Sequence, residues 1–227
     1  VTQNTANELI SATLHGGGRL RATAIDVPAD ISSAAFVMVA AAITPNSEVC
    51  LQHVGINPSR TGIIDILRLM GTEIEITNAR EVGGEPVADL WVRSQPLRGI
   101  VIPKHCVPLA IDEFPALFIA AACAEGETVL TDAEELRVKE SDRIAVMATG
   151  LARLGVDAMP TPDGIRIQGN TAAGVFSGGE IETHDDHRIA MSFAVASLRA
   201  RDTIRILDCE NVNTSFPDFV NLMNKLG

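Results

Sequence analysis

The chain contains no tyrosine and a single tryptophan; with seven phenylalanines, eight of its 227 residues are aromatic. Base stacking on aromatic side chains and a basic face are what nucleic-acid binding draws on. This chain is poor in the first and, at a formal net charge of −11, has no excess of the second. The same charge disfavours an anionic membrane surface, while small anionic ligands stay compatible with a few locally focused cations. No apolar run approaches the ~18 residues of a membrane span, and Val1-Thr2-Gln3-Asn4 has neither the basic nor the apolar region of a signal peptide. Cysteine is sparse: Cys50, Cys106, Cys123 and Cys209 are far apart, without CxxC spacing, and read as reduced, buried thiols of a cytoplasmic protein. An initiator methionine is also missing, as expected of a fragment or a processed product. What is abundant is apolar sequence, 46% against 21% charged, enough to build a globular core.

The apolar sequence repeats. Asp30 precedes Ser32–Ala42, Asp112 precedes Pro115–Ala122 and Asp186 precedes Ile189–Ala196. Each reads as an N-capped helix of small and apolar residues, to be buried on nearly every face. A short strand follows each, at Glu48–Gln52, Glu127–Thr131 and Thr203–Leu207. A polar connection and a second helix come next, the helix stopping at Gly71, Gly155 or Gly227, glycines suited to a left-handed C-cap. These stops lie 84 and 72 residues apart, too far for an ordinary solenoid. Strand-like stretches at Glu73–Thr77, Leu90–Arg93 and Gly164–Ile167 lie between copies, and Gly83-Gly84 reads as a hairpin turn. Gly16-Gly17-Gly18 reads as a loop, since no Lys-Ser or Lys-Thr follows to make a phosphate cradle. Three such units of about 19–88, 89–168 and 169–227 suggest a single domain with helices inside and sheets outside. The pattern alone leaves open a two-layer sandwich of helices on mixed sheets.

Copies that share scaffold residues make departures visible. Twelve residues before the three glycines stand Ser59, Arg143 and Ser215, and only the middle connection carries the charged run Lys139-Glu140-Ser141-Asp142-Arg143. One reading is a solvated loop, with Ser141 as N-cap and an i, i+3 pair between Glu140 and Arg143. The other is an anion site at a helix start. Asp30, Asp112 and Asp186 share an N-cap position, where the helix dipole favours their ionised forms. Arg188 opposes that dipole and requires an anion: Asp185, Asp186 or a ligand. His187 reads either as a capping or packing residue or as a substrate contact. His184, Asp185 and His187 lack the distant third ligand of a metal site.

Ile111-Asp112-Glu113-Phe114-Pro115, Glu134 to Arg143, Asp186-His187-Arg188-Ile189-Ala190-Met191 and Thr214-Ser215-Phe216-Pro217, in this order and spacing, resemble the 5-enolpyruvylshikimate-3-phosphate synthase family. The resemblance covers essentially the whole chain, and the C-terminal half of the family's enzyme. It implies an α+β fold: an inside-out α/β barrel domain of three helix-strand-helix-plus-strands units, lacking a strand contributed by the family's N-terminus. It also implies transfer of the enolpyruvyl group of phosphoenolpyruvate to the 5-hydroxyl of shikimate 3-phosphate, without metal or organic cofactor. Asp112 resembles the carboxylate that takes the hydroxyl proton, and Glu140 the residue that moves a proton on and off the methylene. Lys139 resembles the lysine at the shikimate hydroxyls, and Arg143 and Arg188 the arginines that clamp the phosphoenolpyruvate carboxylate. His187 resembles a neighbouring histidine. Some family members carry lysine where this chain has Thr214, which weakens a phosphate contact from the last unit. Two charge-assisted arginine contacts of roughly 1.5 to 3 kcal/mol each fall short of the about 8 kcal/mol of micromolar binding. The chain alone is therefore expected to be an inactive monomer awaiting the missing N-terminal half. Alternatives are transfer to a UDP-sugar, a non-catalytic binding module of the same fold, and an RNA-end-processing protein, the last disfavoured by acidity and few aromatics.

Overall fold

The computed structural model describes residues 2–4, 11–13, 15–19 and 21–226. A short hairpin of β1 (Thr2–Asn4) and β2 (Ser11–Thr13) precedes an extended stretch leading to α1 (Ile31–Ile43). Asp30 caps α1 by accepting from the Ser33 amide at 2.9 Å, and of the thirteen helical residues only Ser33 is not buried. Helix α3 (Phe114–Ala122), started by Pro115 in its first turn, is buried at all nine positions. Helix α5 (His187–Ala196) begins after Asp186, which accepts from the Arg188 and Ile189 amides. The three helices pack on one another at the centre of the molecule. Their Ala-rich faces have little side-chain bulk, which permits three helices to share one core.

The second helix of each unit is one-sided. In α2 (Gly62–Met70), Ile63, Ile64, Ile66, Leu67 and Met70 face the core while Asp65 and Arg68 stay outside. In α4 (Arg143–Arg153), the buried face is Ile144, Met147, Ala148 and Leu151. Gly150 lets α4 approach α5, since a Cβ there would lie 2.3 Å from Phe193 Cζ. Gly71 and Gly155 adopt φ +114° and +84°, the left-handed stop expected of them; Gly227 lies outside the described residues. The last unit ends in a short turn, α6 (Val212–Ser215), and α7 (Phe219–Leu226).

The sheets lie outside. In the first unit β3 (Glu48–Gly55) pairs antiparallel with β5 (Glu85–Arg93), which pairs with β4 (Glu73–Val82) across the Gly83-Gly84 turn. Ala29 adds a parallel bridge to Val54 on the other edge of β3. The second unit repeats this with β6 (Gly126–Leu130), β8 (Gly164–Gly169) and β7 (Asp157–Thr161), and with parallel bridges from Arg98 and Val101 to the β6 side. In the third unit β9 (Gly179–Glu182) runs parallel to β10 (Ile204–Leu207), taking the place of those bridges. Among the described residues, β10 has no antiparallel partner equivalent to β5 or β8. Outward faces are charged: Arg93 reaches Glu48, Glu73 and Glu75, and Arg166 is forked onto Glu127. This helix-in, sheet-out order is the inside-out α/β barrel.

Several expectations require correction. Asp112 is not an N-cap; that position in α3 belongs to Glu113, whose side chain does not cap either. Strands β3, β4 and β5 extend beyond the apolar runs that signalled them, because bulges at Leu51/Val54 and Thr77/Arg80 carry pairing past polar residues. The boundary expected between 88 and 89 consequently falls inside β5. Cys106 and Cys123 are buried, the Cys123 thiol pushed up to about 12 by that burial, whereas Cys50 is half-buried and Cys209 exposed.

Candidate active site

The N-terminal ends of α1, α3 and α5 converge, placing the positive ends of three dipoles on one side of the molecule. The connection from β6 to α4, residues 131–142, folds over this end. A 3-10 turn at Glu134–Val138 is followed by an extended Lys139, and α4 begins at Arg143. Its N-cap is Asp142, accepting from the Ala145 amide at 3.0 Å and from Arg137 at 2.7 Å. Ser141, expected in that role, instead donates its hydroxyl to Asp186 Oδ2 at 3.0 Å. The contact is tertiary, joining the connection before α4 to the residue that caps α5.

Arg143 is wholly buried, yet every guanidinium nitrogen has a carboxylate. Nε donates to Asp186 Oδ2 at 2.9 Å, Nη1 to Asp112 Oδ1 at 3.3 Å and Nη2 to Glu140 Oε2 at 2.5 Å. The expected Glu140–Arg143 pair therefore exists, but as one arm of a buried network rather than as a solvated surface pair. Such an arginine welds the second unit to the third, and removing one partner of a buried pair costs about 3–5 kcal/mol.

Asp112 is set differently from its counterparts. Asp30 and Asp186 immediately precede their helices and spend their oxygens on helix amides; Asp112 stands one residue further out. Its carboxylate is free for Arg143 and for Lys139, whose Nζ lies 3.5 Å from Oδ1. Burial pushes its pKa up, but Arg188, Lys139 and Arg143 outweigh burial and hold it below the usual aspartate value. A carboxylate so placed is ionised at neutral pH and can accept a proton from a ligand hydroxyl. Lys139 also pairs with Glu135, which raises its pKa against a smaller burial effect.

Arg188 contrasts with Arg143. Its Nη1 donates to the backbone oxygen of Asp112 at 3.0 Å, and Glu113 Oε1 stands 3.8 Å away. The anion that this arginine required is thus neither Asp185 nor Asp186. Among the described residues, most of its five N–H groups have no acceptor, leaving a fork that a carboxylate can enter. Arg188 and His187 border a concavity of about 180 Å³ with Asp30, Ser32, Ser215 and Phe216. Burial, and next the Arg188 charge, lower the His187 pKa, so the ring is neutral at physiological pH. Lys139 and Glu140 lie beside this cluster, Glu140 half exposed.

The structure thus gathers Asp112, Lys139, Glu140, Arg143, His187 and Arg188 at one end of the helix triad, with Arg143 committed internally. Sequence reading missed Ser32, Arg60 and Glu113. Ser32 donates to Glu113 at 2.5 Å and accepts from Arg60 Nη2 at 2.7 Å. A signal was available, since Arg60 is the one cation in the connection equivalent to the charged run.

Comparison with known proteins agrees with this architecture. Residues 2–223 match the family model described as EPSP synthase (3-phosphoshikimate 1-carboxyvinyltransferase). The chain is 65% identical over 214 residues to the 3-phosphoshikimate 1-carboxyvinyltransferase of Alkalilimnicola ehrlichii, covering 94% of this chain and 47% of that protein. The like-named protein of Methylococcus capsulatus is 67% identical, with 94% and 48% covered. Among solved structures, EPSP synthase from Acinetobacter baumannii superposes with TM-score 0.91 at 59% identity, over 94% of this chain and 49% of that one. The enolpyruvyl transferase NikO from Streptomyces tendae shares the fold at TM-score 0.66 and 19% identity, with 87% and 42% covered. The chain spans about half the length of the curated relatives it matches. On the match of its family model and the identity of these relatives, the chain belongs to the EPSP synthase family.

Proposed function

We propose that this chain is the C-terminal half of an enzyme that transfers the enolpyruvyl group of phosphoenolpyruvate to the 5-hydroxyl of shikimate 3-phosphate, with release of phosphate. The observation that carries the reading is the ionised Asp112 carboxylate beside an Arg188 fork with free donors, both at converging helix N-termini. Asp112 takes the proton of the 5-hydroxyl as that oxygen bonds to C2 of phosphoenolpyruvate, and Glu140 delivers a proton to C3. Glu140 then withdraws a C3 proton as the C2–O bond to phosphate breaks, and the Asp112 proton leaves with the phosphate. Lys139 holds the shikimate hydroxyls, and Arg188, next to the neutral His187, receives the phosphoenolpyruvate carboxylate. Arg143 joins that clamp only if Glu140 leaves its Nη2, which would link substrate binding to release of the proton carrier.

The missing half is proposed to close the cleft, to supply further cations for the phosphates, and to pair with the free edge of β10. We read the chain as a single domain of a cytoplasmic, monomeric enzyme without a nucleic-acid partner. Among the described residues no helix is long and apolar enough to cross a membrane. The test is phosphate release. The intact two-half protein is expected to release phosphate from phosphoenolpyruvate with shikimate 3-phosphate and not with a UDP-sugar, and this chain alone with neither. Release from the UDP-sugar, or by the isolated chain, would overturn the corresponding part of the reading.

A further inference from the structure

Two carboxylates of the described residues are buried, Asp186 and Glu113. Asp186 has evident work, capping α5 and anchoring Arg143 and Ser141. Glu113 occupies the N-cap position of α3, but its side chain makes no capping hydrogen bond to that helix. A capping serine or aspartate would stabilise α3 better, and a buried carboxylate costs free energy unless something requires it. Its oxygen Oε1 accepts from Ser32 Oγ on α1 and faces Arg188 Nη1 on α5 at 3.8 Å. Ser32 is fixed in turn by Arg60, which stands 3.9 Å from Asp30. A single row, Arg60, Ser32, Glu113, Arg188, thereby crosses the starts of all three central helices.

We infer that Glu113 is a positioning residue for Arg188, holding the guanidinium from behind so that its free N–H groups present to the carboxylate of phosphoenolpyruvate. The inference rests on the enolpyruvyl-transfer reading above. At 3.8 Å the contact is electrostatic rather than a hydrogen bond, so it aims the guanidinium without consuming a donor. Among the described residues Arg188 makes one side-chain hydrogen bond, to the Asp112 backbone, through the same Nη1, so both contacts hold one end of the fork and leave Nε and Nη2 to a ligand. The charged groups around Glu113 are Arg188 from α5, Arg60 from the β3–α2 connection and Asp112 from its own connection. Burial dominates and raises the Glu113 pKa, opposed by the Ser32 hydrogen bond and Arg188 and assisted by Asp112. Falling pH therefore neutralises Glu113 earlier than an ordinary glutamate and slackens its hold on Arg188. Because the folded state disfavours the charged form, the ionised side chain carries a stability cost above its raised pKa.

The experiment is steady-state kinetics of the intact protein carrying Glu113→Gln, at saturating acceptor, from about pH 5 to about pH 9. Glu113→Gln is expected to raise KM for phosphoenolpyruvate about tenfold while kcat changes less than about threefold. In the parent, that KM should climb as pH falls; in Glu113→Gln the climb should vanish, and in Glu113→Asp, which keeps the charge, it should persist. The melting temperature of Glu113→Gln at high pH should not fall. An unchanged KM and pH profile, or a lowered melting temperature with both substrates weakened equally, overturns the proposal in favour of a packing role. Ser32→Ala, which frees the Glu113 carboxylate, should raise the same KM about threefold; no change there overturns the proposal even if Glu113→Gln does not fold. Parent protein that releases no phosphate overturns the enolpyruvyl reading itself, which separates the two failures.

Discussion

The two ends of the central helix triad share a scaffold and differ in almost everything else. At the N-terminal end six ionisable side chains gather, two of which, His187 and Arg188, line a concavity of about 180 Å³. At the C-terminal end, a concavity of about 510 Å³ opens among Ile43, Pro96, Cys123 and Arg199, with Arg199 capping the carbonyls of Ile43 and Ala172. The larger hollow is thus remote from the charge. Volume alone would choose the larger hollow; dipoles, uncommitted donors and a depressed carboxylate pKa favour the smaller one as the proposed site. The difference follows from where helices start, because amides seek anions and carbonyls seek cations.

The comparison can be broken most forcefully at Asp112. Asp112→Asn in the intact protein should lower kcat by about 10²–10⁴-fold, the range for loss of a positioned base. Next, Arg143→Met should destabilise the fold by about 3–5 kcal/mol in urea denaturation, because it strands the buried Asp186. At the opposite end, Cys123→Ser should cost about 1–3 kcal/mol by burying a hydroxyl among apolar neighbours, with turnover unchanged. Arg199→Ala should cost about 1–2 kcal/mol through lost carbonyl caps, again with turnover unchanged. A kinetic effect from either C-terminal change would blur the distinction between the ends.

The smallest effect is one of pH. Asp112 has a folded pKa below its unfolded value, so it contributes stability above the ordinary aspartate range and loses it as pH falls through the folded pKa. The stability difference between the parent and Asp112→Asn should accordingly shrink on acidification below about pH 4, measured by denaturation at stepped pH. A difference that grows on acidification would reverse the sign assigned to this carboxylate.

Periodicity made the repeats legible, since helices without a polar face must be enclosed, and the Gly71 and Gly155 stops follow from backbone sterics. Charge density marked the Lys139–Arg143 run. What spacing along the chain could not convey was convergence across it. Arg143 and Asp186 are 43 residues apart, and only folding reveals that Ser141 reaches Asp186 while Asp142 caps the helix. The one-residue displacement of Asp112 from its helix was equally hidden, because Asp-Glu-Phe-Pro could begin a helix at either acid. Yet that displacement frees the carboxylate for Lys139 and Arg143. Glu113 and Arg60 were overlooked because each lies in a connection that reads as ordinary turn or capping sequence.

The most direct measurement is amide hydrogen exchange of the intact protein with and without phosphoenolpyruvate plus shikimate 3-phosphate. Protection confined to residues around 112–113, 139–143 and 186–188, with none around Ile43, Cys123 and Arg199, is the predicted result. Protection centred on the C-terminal concavity, with the N-terminal helix ends unchanged, would contradict it.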